Sequence, residues 1–405
     1  MSIGTGLVFV GGLFQLASSC SGSHSSTRQL PRWNLAVVGC LTLFFWFLLA
    51  GLWSEDKGRW LNHVRVELPL LLVPLGAVIG GVPAVQYRKW VWRVFLITIG
   101  LVAAATAINY ILHYDAINES VLHSKPFPIK TLTSDLSHIY FGVMLAFASL
   151  LSIHFAFQPQ ASRRARYTYF GLGVVFALLL HVFSIRTGLA AWYVGGGFML
   201  GRMVWLRADL RKWGLLLLIC GLLVPVGAYY GSTSFRNRIE NTQKDLQMWQ
   251  KKGSDLSHWS AARRFVVWQL SYELWREHPI LGIGPGDMSK ELYDAHENID
   301  YHIAPEHRVV DPHNQYFSWL AGSGLVGFLL ACGVLLSVCF PRFRPTETAF
   351  WCLWPVLLTG FLFESMAERQ VGITFWMWAW MLCFLPEIPE EELEELKKEK
   401  YTANE

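Results

Sequence analysis

Ten long apolar runs constrain the fold of this chain more than any other feature. They lie at about residues 33–53, 68–85, 90–112, 135–157, 167–185, 187–206, 212–231, 313–340, 348–366 and 370–386. About 20 apolar residues span the ~30 Å hydrocarbon core of a bilayer, and a backbone in lipid must satisfy its own hydrogen bonds. We therefore expect each run to be a membrane-spanning helix, and a shorter run at 3–17 is a candidate for a further span.

The composition is that of a membrane protein. Hydrophobic residues make up 53% of the sequence and charged residues only 16%, whereas about 25% of a typical soluble domain is charged. This excludes a water-soluble enzyme and a disordered chain. The net charge of +4 is small and no basic stripe stands outside the apolar runs, so nucleic acid is not an expected partner. Several tryptophans lie near the ends of the runs, as in an aromatic belt: Trp33, Trp53, Trp60, Trp90, Trp92, Trp205 and Trp213.

Lys and Arg residues in the short loops indicate the orientation. One alternate set of loops carries 14 of them and the other set carries 7, and the richer set is expected to be cytoplasmic. Residues 232–312 then form a large loop on the outer side, between the spans of 1–231 and those of 313–386. The charged tail at 387–405 is expected to be cytoplasmic. Residues 1–17 lack the basic start of a signal peptide.

Neither cysteines nor histidines predict a metal centre. All seven cysteines except Cys20 lie in apolar runs and none lies in the outer loop, so no disulfide framework is expected. His302, His307 and His313 follow one another at steps of five and six residues, which does not make a helical metal-binding pair. No Asp-x-Asp or comparable cluster suits Mg²⁺. The sequence therefore predicts no metal site and no cofactor.

Arg186 lies in the segment Ser184-Ile-Arg186-Thr-Gly, between two apolar runs, at the predicted outer boundary. One interpretation is a snorkelling anchor whose head group reaches the interface. The other is a functional residue, because an ionisable group at membrane depth is costly and arginine is scarce on the outer side. We expect Thr187–Gly188 to break the helix here, and we favour a functional Arg186.

The outer loop contains a segment with helical periodicity at 260–275. Its aromatic residues recur at spacings of three and four: Phe265, Trp268, Tyr272 and Trp275. This face is expected to lie on the membrane surface or to cap the bundle, with Ser260 as the N-cap. Arg263 and Arg264 fall near the helix start, where cations oppose the helix dipole. A bound anion would offset this, although two solvated arginines are the alternative.

A glycine-rich segment, Gly282-Ile-Gly-Pro-Gly286, follows the predicted helix end at His278-Pro279. It has the wrong glycine spacing for a dinucleotide fingerprint, and no parallel βαβ unit surrounds it. We expect a tight turn whose backbone lies close to a ligand or to another helix, since glycine permits such approach.

Two clusters of polar residues flank the last spans. His313 follows Pro312 at the start of an apolar run, so it is expected to open a helix and project into the outer mouth of the bundle. Its imidazole can accept a proton from a hydroxyl, and the alternative is an interfacial histidine that only bonds a neighbour. Glu364, Glu368 and Arg369 surround the last outer turn, where they are expected to pair with one another or with the arginines of the outer loop.

Three of these segments together resemble the O-antigen ligase and polymerase superfamily of multi-pass envelope enzymes. The motifs are, in order, Ser184-Ile-Arg186-Thr-Gly, then Arg264-x-x-x-Trp268 with His278-Pro-Ile-Leu-Gly-Ile-Gly-Pro-Gly286, then His313-Asn-x-x-Phe317 followed by six residues and Gly324. Phe317 departs from the leucine of the family pattern but keeps its apolar character. The similarity runs from about 184 to 330.

The resemblance implies an all-α, polytopic membrane bundle of about 11–12 transmembrane helices, with a large periplasmic loop that contains amphipathic helices. The superfamily transfers glycans from undecaprenyl pyrophosphate at the periplasmic face of the bacterial inner membrane. Within it we favour an O-antigen ligase, whose acceptor is a sugar hydroxyl of lipid A–core, because of the compact size of the chain and the segment from Glu364 to Arg369. The alternatives within the superfamily are an O-antigen or polysaccharide polymerase and a protein O-oligosaccharyltransferase. An alternative from another class is a transporter of lipid-linked sugars.

The same resemblance suggests roles for the site residues. Arg186 and Arg264 are expected to bind the diphosphate, and His313 is expected to deprotonate the acceptor hydroxyl. Three further side chains are expected to contact the substrate: Arg263, Asn314 and Glu368. Because arginine charge can replace that of a metal, we expect inverting transfer without a metal ion.

Overall fold

The apolar runs and the outer loop fold into helices. The computed structural model describes residues 35–79, 85–122, 127–130, 137–206, 211–339 and 348–384. Within these ranges the chain forms 14 α-helices and no β-strand, which confirms the predicted all-α class. The run at 3–17 and the tail at 387–405 lie outside the described residues.

The helices follow the predicted runs, except that the helix matching 68–85 begins much earlier, at Lys57. In chain order they are α1 (Leu35–Leu49), α2 (Lys57–Ile79), α3 (Val85–Leu112), α4 (Tyr114–Leu122), α5 (His138–Ala156), α6 (Arg163–Phe183), α7 (Arg186–Leu206), α8 (Arg211–Gly231), α9 (Thr233–Gln250), α10 (Ser260–Glu277), α11 (Met288–Ala295), α12 (Gln315–Leu336), α13 (Phe350–Phe363) and α14 (Gln370–Phe384). Each of the ten apolar runs is matched by one of these helices. The additional helices are α4 and, in the outer loop, α9, α10 and α11.

Among the described residues, five helices are long and apolar enough to cross a bilayer. These spans are Lys57–Val78, Arg88–Leu112, His138–Ala156, Arg163–Phe183 and Gln315–Leu336. Shorter apolar helices accompany them at Ala36–Leu52, Phe350–Phe363 and Gln370–Phe384. The chain is therefore a multi-pass membrane protein, since only helices satisfy their backbone in lipid without closing a barrel. The total of 11–12 spans stays a prediction.

Helix α5 lies at the centre of the bundle. In its span 83% of the residues are buried, and it packs against α6, α7 and α13. A helix that is apolar all round is typical of such a position. Helix α7 lies directly against α5 at Gly188, where an added Cβ atom would lie 2.6 Å from the carbonyl carbon of Gly142. This contact fixes the first turn of α7, which begins at Arg186.

Residues 232–312 share an apolar cluster with the start of α12. Its fully buried members include Leu256, Ala262, Val267, Leu292 and Ala321. Because Ala321 belongs to α12, the cluster joins α10 and α11 to the first turns of that helix. The prediction of helices within this loop is confirmed.

Helix α10 forms where the periodicity predicts it, but its buried face is mainly aliphatic. The buried residues are Ala262, Val266, Val267, Leu270, Ser271 and Leu274. The aromatic row lies beside this face, with Tyr272 46% exposed and Trp268 Nε1 donating to the carbonyl of Pro312 at 2.9 Å. Apolar residues occupy two adjacent faces, so periodicity alone does not choose between them. The predicted N-cap is wrong, because Trp259 holds that position and Ser260 is already helical.

The glycine-rich turn lies against another helix, as predicted. Helix α12 kinks at Gly324, whose φ is 67°. The backbone N–H of Ile283 donates to the carbonyl of Ala321, three residues before the kink, at 2.9 Å. At Gly282, with φ of 74°, a Cβ atom would lie 2.6 Å from that same oxygen. The kink and the turn therefore fit together only because both positions lack a side chain.

Candidate active site

A cavity of about 740 Å³ opens between α5, α7, α10 and the turn that links α13 to α14. Its ionisable lining is Arg186, Arg238, Arg263, Arg264, Arg369, His138, His313, Tyr140 and Glu364. Four side chains predicted from the sequence are thus brought together: Arg186, Arg263, Arg264 and His313. The other two predicted residues, Asn314 and Glu368, do not line this cavity.

Arg186 is the first residue of α7, and the helical backbone is interrupted just before it. The break falls at Ser184, which ends α6 with a φ of 53°. The predicted break at Thr187–Gly188 is wrong, since both residues lie inside α7. Gly188 serves instead for the close contact with Gly142 of α5.

Three oxygen atoms hold the guanidinium of Arg186. Its Nη1 donates to Oγ1 of Thr242 at 3.0 Å and to Oδ2 of Asp245 at 3.5 Å. Its Nη2 donates to the hydroxyl of Ser260 at 3.0 Å. The same Asp245 oxygen accepts the backbone N–H of Ala261 at 3.1 Å. Helix α9 and the start of α10 therefore fix the orientation of this guanidinium.

Asp245 is a buried carboxylate that no motif or run boundary marks in the sequence. Burial raises its pKa above the usual value, although the N–H of Ala261 and the charge of Arg186 act in the opposite direction. Its other oxygen, Oδ1, is buried and accepts no hydrogen bond from any described residue. Asp245 and Arg186 are 59 residues apart in the sequence. Only the tertiary fold brings them together, and no local pattern marks the pair.

Arg263 and Arg264 lie near the start of α10 and reach different partners. Arg264 donates from Nη1 to the carbonyl of Phe363 at 2.9 Å, and its Nη2 lies 3.5 Å from Oε2 of Glu364. Arg263 donates from Nη1 to the carbonyl of His307 at 2.7 Å. Burial lowers the pKa of both guanidinium groups. Neither is a freely solvated surface arginine.

Positive charge exceeds negative charge around the cavity. Five arginines line it in the described part of the chain, against the single carboxylate of Glu364. The pKa of Arg238 falls to about 10, because burial and the charge of Arg186 disfavour its charged form more than Asp245 favours it. A bound anion would stabilise all of these charges and accept charge-assisted hydrogen bonds.

His313 faces the cavity from an uncommon backbone conformation. Its φ is 48°, and its N–H donates to Oδ1 of Asp311 at 2.9 Å. The ring atom Nδ1 lies 3.1 and 3.2 Å from the two carboxylate oxygens of Glu364. When Nδ1–H donates to this carboxylate, Nε2 is the nitrogen that can accept a proton. The ring is 30% exposed, so it is held firmly but still accessible.

Glu364 directly follows α13, and its side chain is only 7% exposed. Burial alone would raise its pKa, but the hydrogen bond with His313 and the charges of His313 and Arg264 lower it below the usual value. One ionised carboxylate therefore holds both a histidine and an arginine. The sequence predicts that Glu364 pairs within its own segment or with an arginine of the outer loop. The structure pairs it with Arg264 of that loop.

Asn314 caps helix α12. Its Oδ1 accepts the N–H groups of Tyr316 at 3.0 Å and Phe317 at 3.2 Å. The helix therefore begins at Gln315, and His313 precedes it instead of opening it as predicted. Asn314 is 2% exposed, and its contact with substrate stays a prediction.

Glu368 lies at a second cavity of about 270 Å³. Its Oε2 lies 2.9 Å from Nδ1 of His63, and its Oε1 accepts the Nε2 amide of Gln315 at 3.2 Å. Arg369, next in sequence, lines both cavities. No sequence pattern marks His63, since it lies between two of the predicted apolar runs and far from any motif. The substrate contact of Glu368 stays a prediction.

Comparison with known families agrees with the motif analysis. A family model described as O-antigen ligase matches residues 172–332. This range holds Arg186, Arg264 and His313, and it covers less than half of the chain. The resemblance to the O-antigen ligase and polymerase superfamily is thereby confirmed over this range, and members of the matched family are glycosyltransferase-like enzymes. No curated protein matches the chain.

Proposed function

We propose that this protein is an O-antigen ligase. It transfers a glycan from undecaprenyl pyrophosphate to a sugar hydroxyl of lipid A–core, at the periplasmic face of the bacterial inner membrane, with inversion and without a metal ion. The observation that carries the proposal is the His313–Glu364 pair beside the arginines of one cavity. The O-antigen ligase match over 172–332 supports the same class of reaction.

The arginines suit the diphosphate of the donor. Arginine presents a planar fork of donors that stays charged, and it binds phosphate oxygens in a bidentate manner. Arg186 and Arg264 are held in fixed orientations by protein oxygens. In a site shielded from water such preorganised charges stabilise a developing anion strongly. They would stabilise the undecaprenyl diphosphate as it leaves.

The same lining supports transfer without a metal at this cavity. Hard cations such as Mg²⁺ need several oxygen ligands. Glu364 is the one carboxylate among the described lining residues, and it is bound to His313 and Arg264. The charge that a metal would supply is provided instead by guanidinium groups.

His313 is the proposed general base. The acceptor hydroxyl oxygen attacks the anomeric carbon while its proton passes to Nε2 of His313. The bond between the anomeric carbon and the diphosphate oxygen breaks, and its electron pair leaves with undecaprenyl diphosphate. Glu364 stabilises the imidazolium that forms, in the manner of the carboxylate in a catalytic triad. Attack opposite the leaving group inverts the anomeric carbon.

The loop charges support the proposed side of the membrane. Loops that would be cytoplasmic carry 14 Lys and Arg residues, against 7 in the alternate set. Residues 232–312 supply Arg238, Arg263 and Arg264 to the cavity. The proposed active site then faces the periplasm, on the same side as this loop.

A polymerase and a protein O-oligosaccharyltransferase would use the same donor chemistry with a different acceptor. A transporter of lipid-linked sugars would need no oriented general base, and it would not cleave the donor. Release of undecaprenyl diphosphate by the purified protein distinguishes an enzyme from a transporter. The identity of the acceptor is then decided in cells.

The cellular test compares a deletion strain complemented with wild-type protein, His313→Ala or His258→Ala. His258 is an exposed histidine of the same loop and does not line the cavity. We expect wild type and His258→Ala to restore the lipopolysaccharide ladder. His313→Ala should give bare core bands with glycan held on the lipid carrier, at normal protein levels in the membrane. Core with one repeat unit and no ladder would indicate a polymerase, and an unchanged ladder in the deletion strain would exclude both functions.

A further inference from the structure

We propose that His63, Glu67 and Glu368 form a binding site for one divalent transition-metal ion of the zinc type. One nitrogen or oxygen atom from each side chain lies within 4.8 Å of the other two. His63 Nδ1 and Glu368 Oε2 are 2.9 Å apart. The site is separate from the arginine-lined cavity, because none of the three residues lines that cavity.

The unpartnered polar atoms of the cluster point to a ligand. Glu67 is 0% exposed, and neither of its carboxylate oxygens has a hydrogen-bond partner in the part of the chain that the structure describes. The Nε2 atom of His63 is likewise buried and unpartnered there. A buried carboxylate without a partner is strongly disfavoured unless it binds a cation or a proton.

The placement of the three side chains suits metal coordination. His63 and Glu67 are four residues apart on α2, so they project from the same face of the helix. Glu368 comes from the short 3-10 helix Met366–Glu368, between α13 and α14. An ion bound here would join α2 to that turn.

The ligand types favour zinc and its neighbours over magnesium. Imidazole suits Zn²⁺, Co²⁺ and similar ions, whereas Mg²⁺ prefers oxygen ligands and water. Three protein ligands leave a fourth position, and the 270 Å³ cavity lined by His63 and Glu368 can supply a water there. Gln315 donates to Glu368 at 3.2 Å, an outer contact of the kind that orients metal ligands.

The proposed ion would have a positioning role. The turn that it anchors also carries Glu364, which holds His313, and Arg369, which lines both cavities. The competing explanation is a proton on Glu67, which would neutralise the carboxyl without any metal. Metal binding is measured without any assay of glycosyl transfer, so the result tests this proposal independently of the proposed function.

The test is metal binding by the full-length protein in detergent. Wild type, Glu67→Gln and Glu119→Gln are purified without chelator, and bound metals are measured by mass spectrometry. Glu119 is an exposed glutamate on α4 outside the cluster and serves as the control. We expect about one zinc-type ion per chain in wild type and Glu119→Gln. Glu67→Gln should bind at least about tenfold more weakly, since losing even an outer-shell partner has that effect.

A second measurement does not depend on how the variant folds. Wild-type protein, stripped with chelator, is titrated with Co²⁺ while its visible absorption and melting temperature are recorded. We expect saturable d–d absorption of a nitrogen and oxygen site and a rise in melting temperature, because an ion that binds only the folded state stabilises it. The proposal would be overturned if wild type took up neither Zn²⁺ nor Co²⁺, or if Glu67→Gln bound metal as tightly as wild type. A protonated Glu67 would then explain the buried carboxyl group.

Discussion

The imidazole Nδ1 of His313 lies 3.1 Å from the carboxylate of Glu364, across 51 residues of sequence. The same carboxylate lies 3.5 Å from Nη2 of Arg264. One buried acid therefore orients both the proposed base and a proposed ligand of the diphosphate. Because His313 precedes α12 and Glu364 follows α13, the packing of these two helices determines the geometry of the pair.

Replacing Glu364 with glutamine should remove the charge that stabilises the imidazolium and leave the shape of the site intact. We expect kcat to fall by about 10²–10⁴-fold, with a smaller change in the KM for the donor, because the interaction strengthens as His313 takes the proton. Initial rates of glycan transfer by purified protein measure both constants. Glu273→Gln, an exposed change on α10, is the control; a normal kcat in Glu364→Gln would contradict the assigned role.

The same variant should alter the dependence of stability on pH. The folded-state pKa of Glu364 lies below the ordinary glutamate value of 4.5. Its ionised form therefore stabilises the fold above pH 4.5, and this stabilisation is lost as the pH falls through the lower folded-state value. In Glu364→Gln this contribution is absent at every pH. Melting temperatures recorded by tryptophan fluorescence should fall more steeply on acidification in wild type, and identical curves would speak against an ionised, stabilising Glu364.

Asp245→Asn tests the carboxylate behind Arg186. The raised pKa of Asp245 means that its ionised form is disfavoured in the fold, so stability from this group is lost as the pH rises through its folded-state pKa. Asparagine does not ionise, so the variant avoids this loss of stability. We therefore expect its melting temperature at neutral pH to equal or exceed that of wild type. The KM for the donor should increase, because Arg186 loses its charged partner at 3.5 Å. A large drop in stability with an unchanged KM would indicate a purely structural role.

The residues that could be predicted from the sequence are those that a local pattern marks. The ten runs gave the helices, and Arg186, Arg264 and His313 stand in motifs or at run boundaries where charge is unexpected. Asp245 and Glu67 carry no such mark, because each matters only through a partner contributed by a different helix. Local backbone details were also missed, since the break at Ser184 depends on how α5 and α7 approach each other.

Arg264→Lys tests whether the fork geometry matters beyond the charge. Lysine keeps the positive charge but cannot donate to the carbonyl of Phe363, to Glu364 and to a phosphate in one plane. We expect transfer to fall by at least about tenfold, the cost of losing one good charge-assisted hydrogen bond of about 1.5 kcal/mol or more. Arg276→Lys, an exposed change on the same helix, should retain wild-type activity. Equal rates for the two variants would exclude bidentate binding by Arg264.

Gly324→Ala should destabilise the junction that supports the start of α12. The residue has a φ of 67°, and an added Cβ atom would collide with the carbonyl of Ile280. Strain of this kind costs about 1–3 kcal/mol. Gly333→Ala on the same helix meets no atom within 4 Å, and it should be neutral or stabilising by about 0.5–1 kcal/mol because alanine favours the helix. Melting temperatures in detergent compare the two variants, and an equal response would mean that the kink is not a requirement of the packing between the glycine-rich turn and α12.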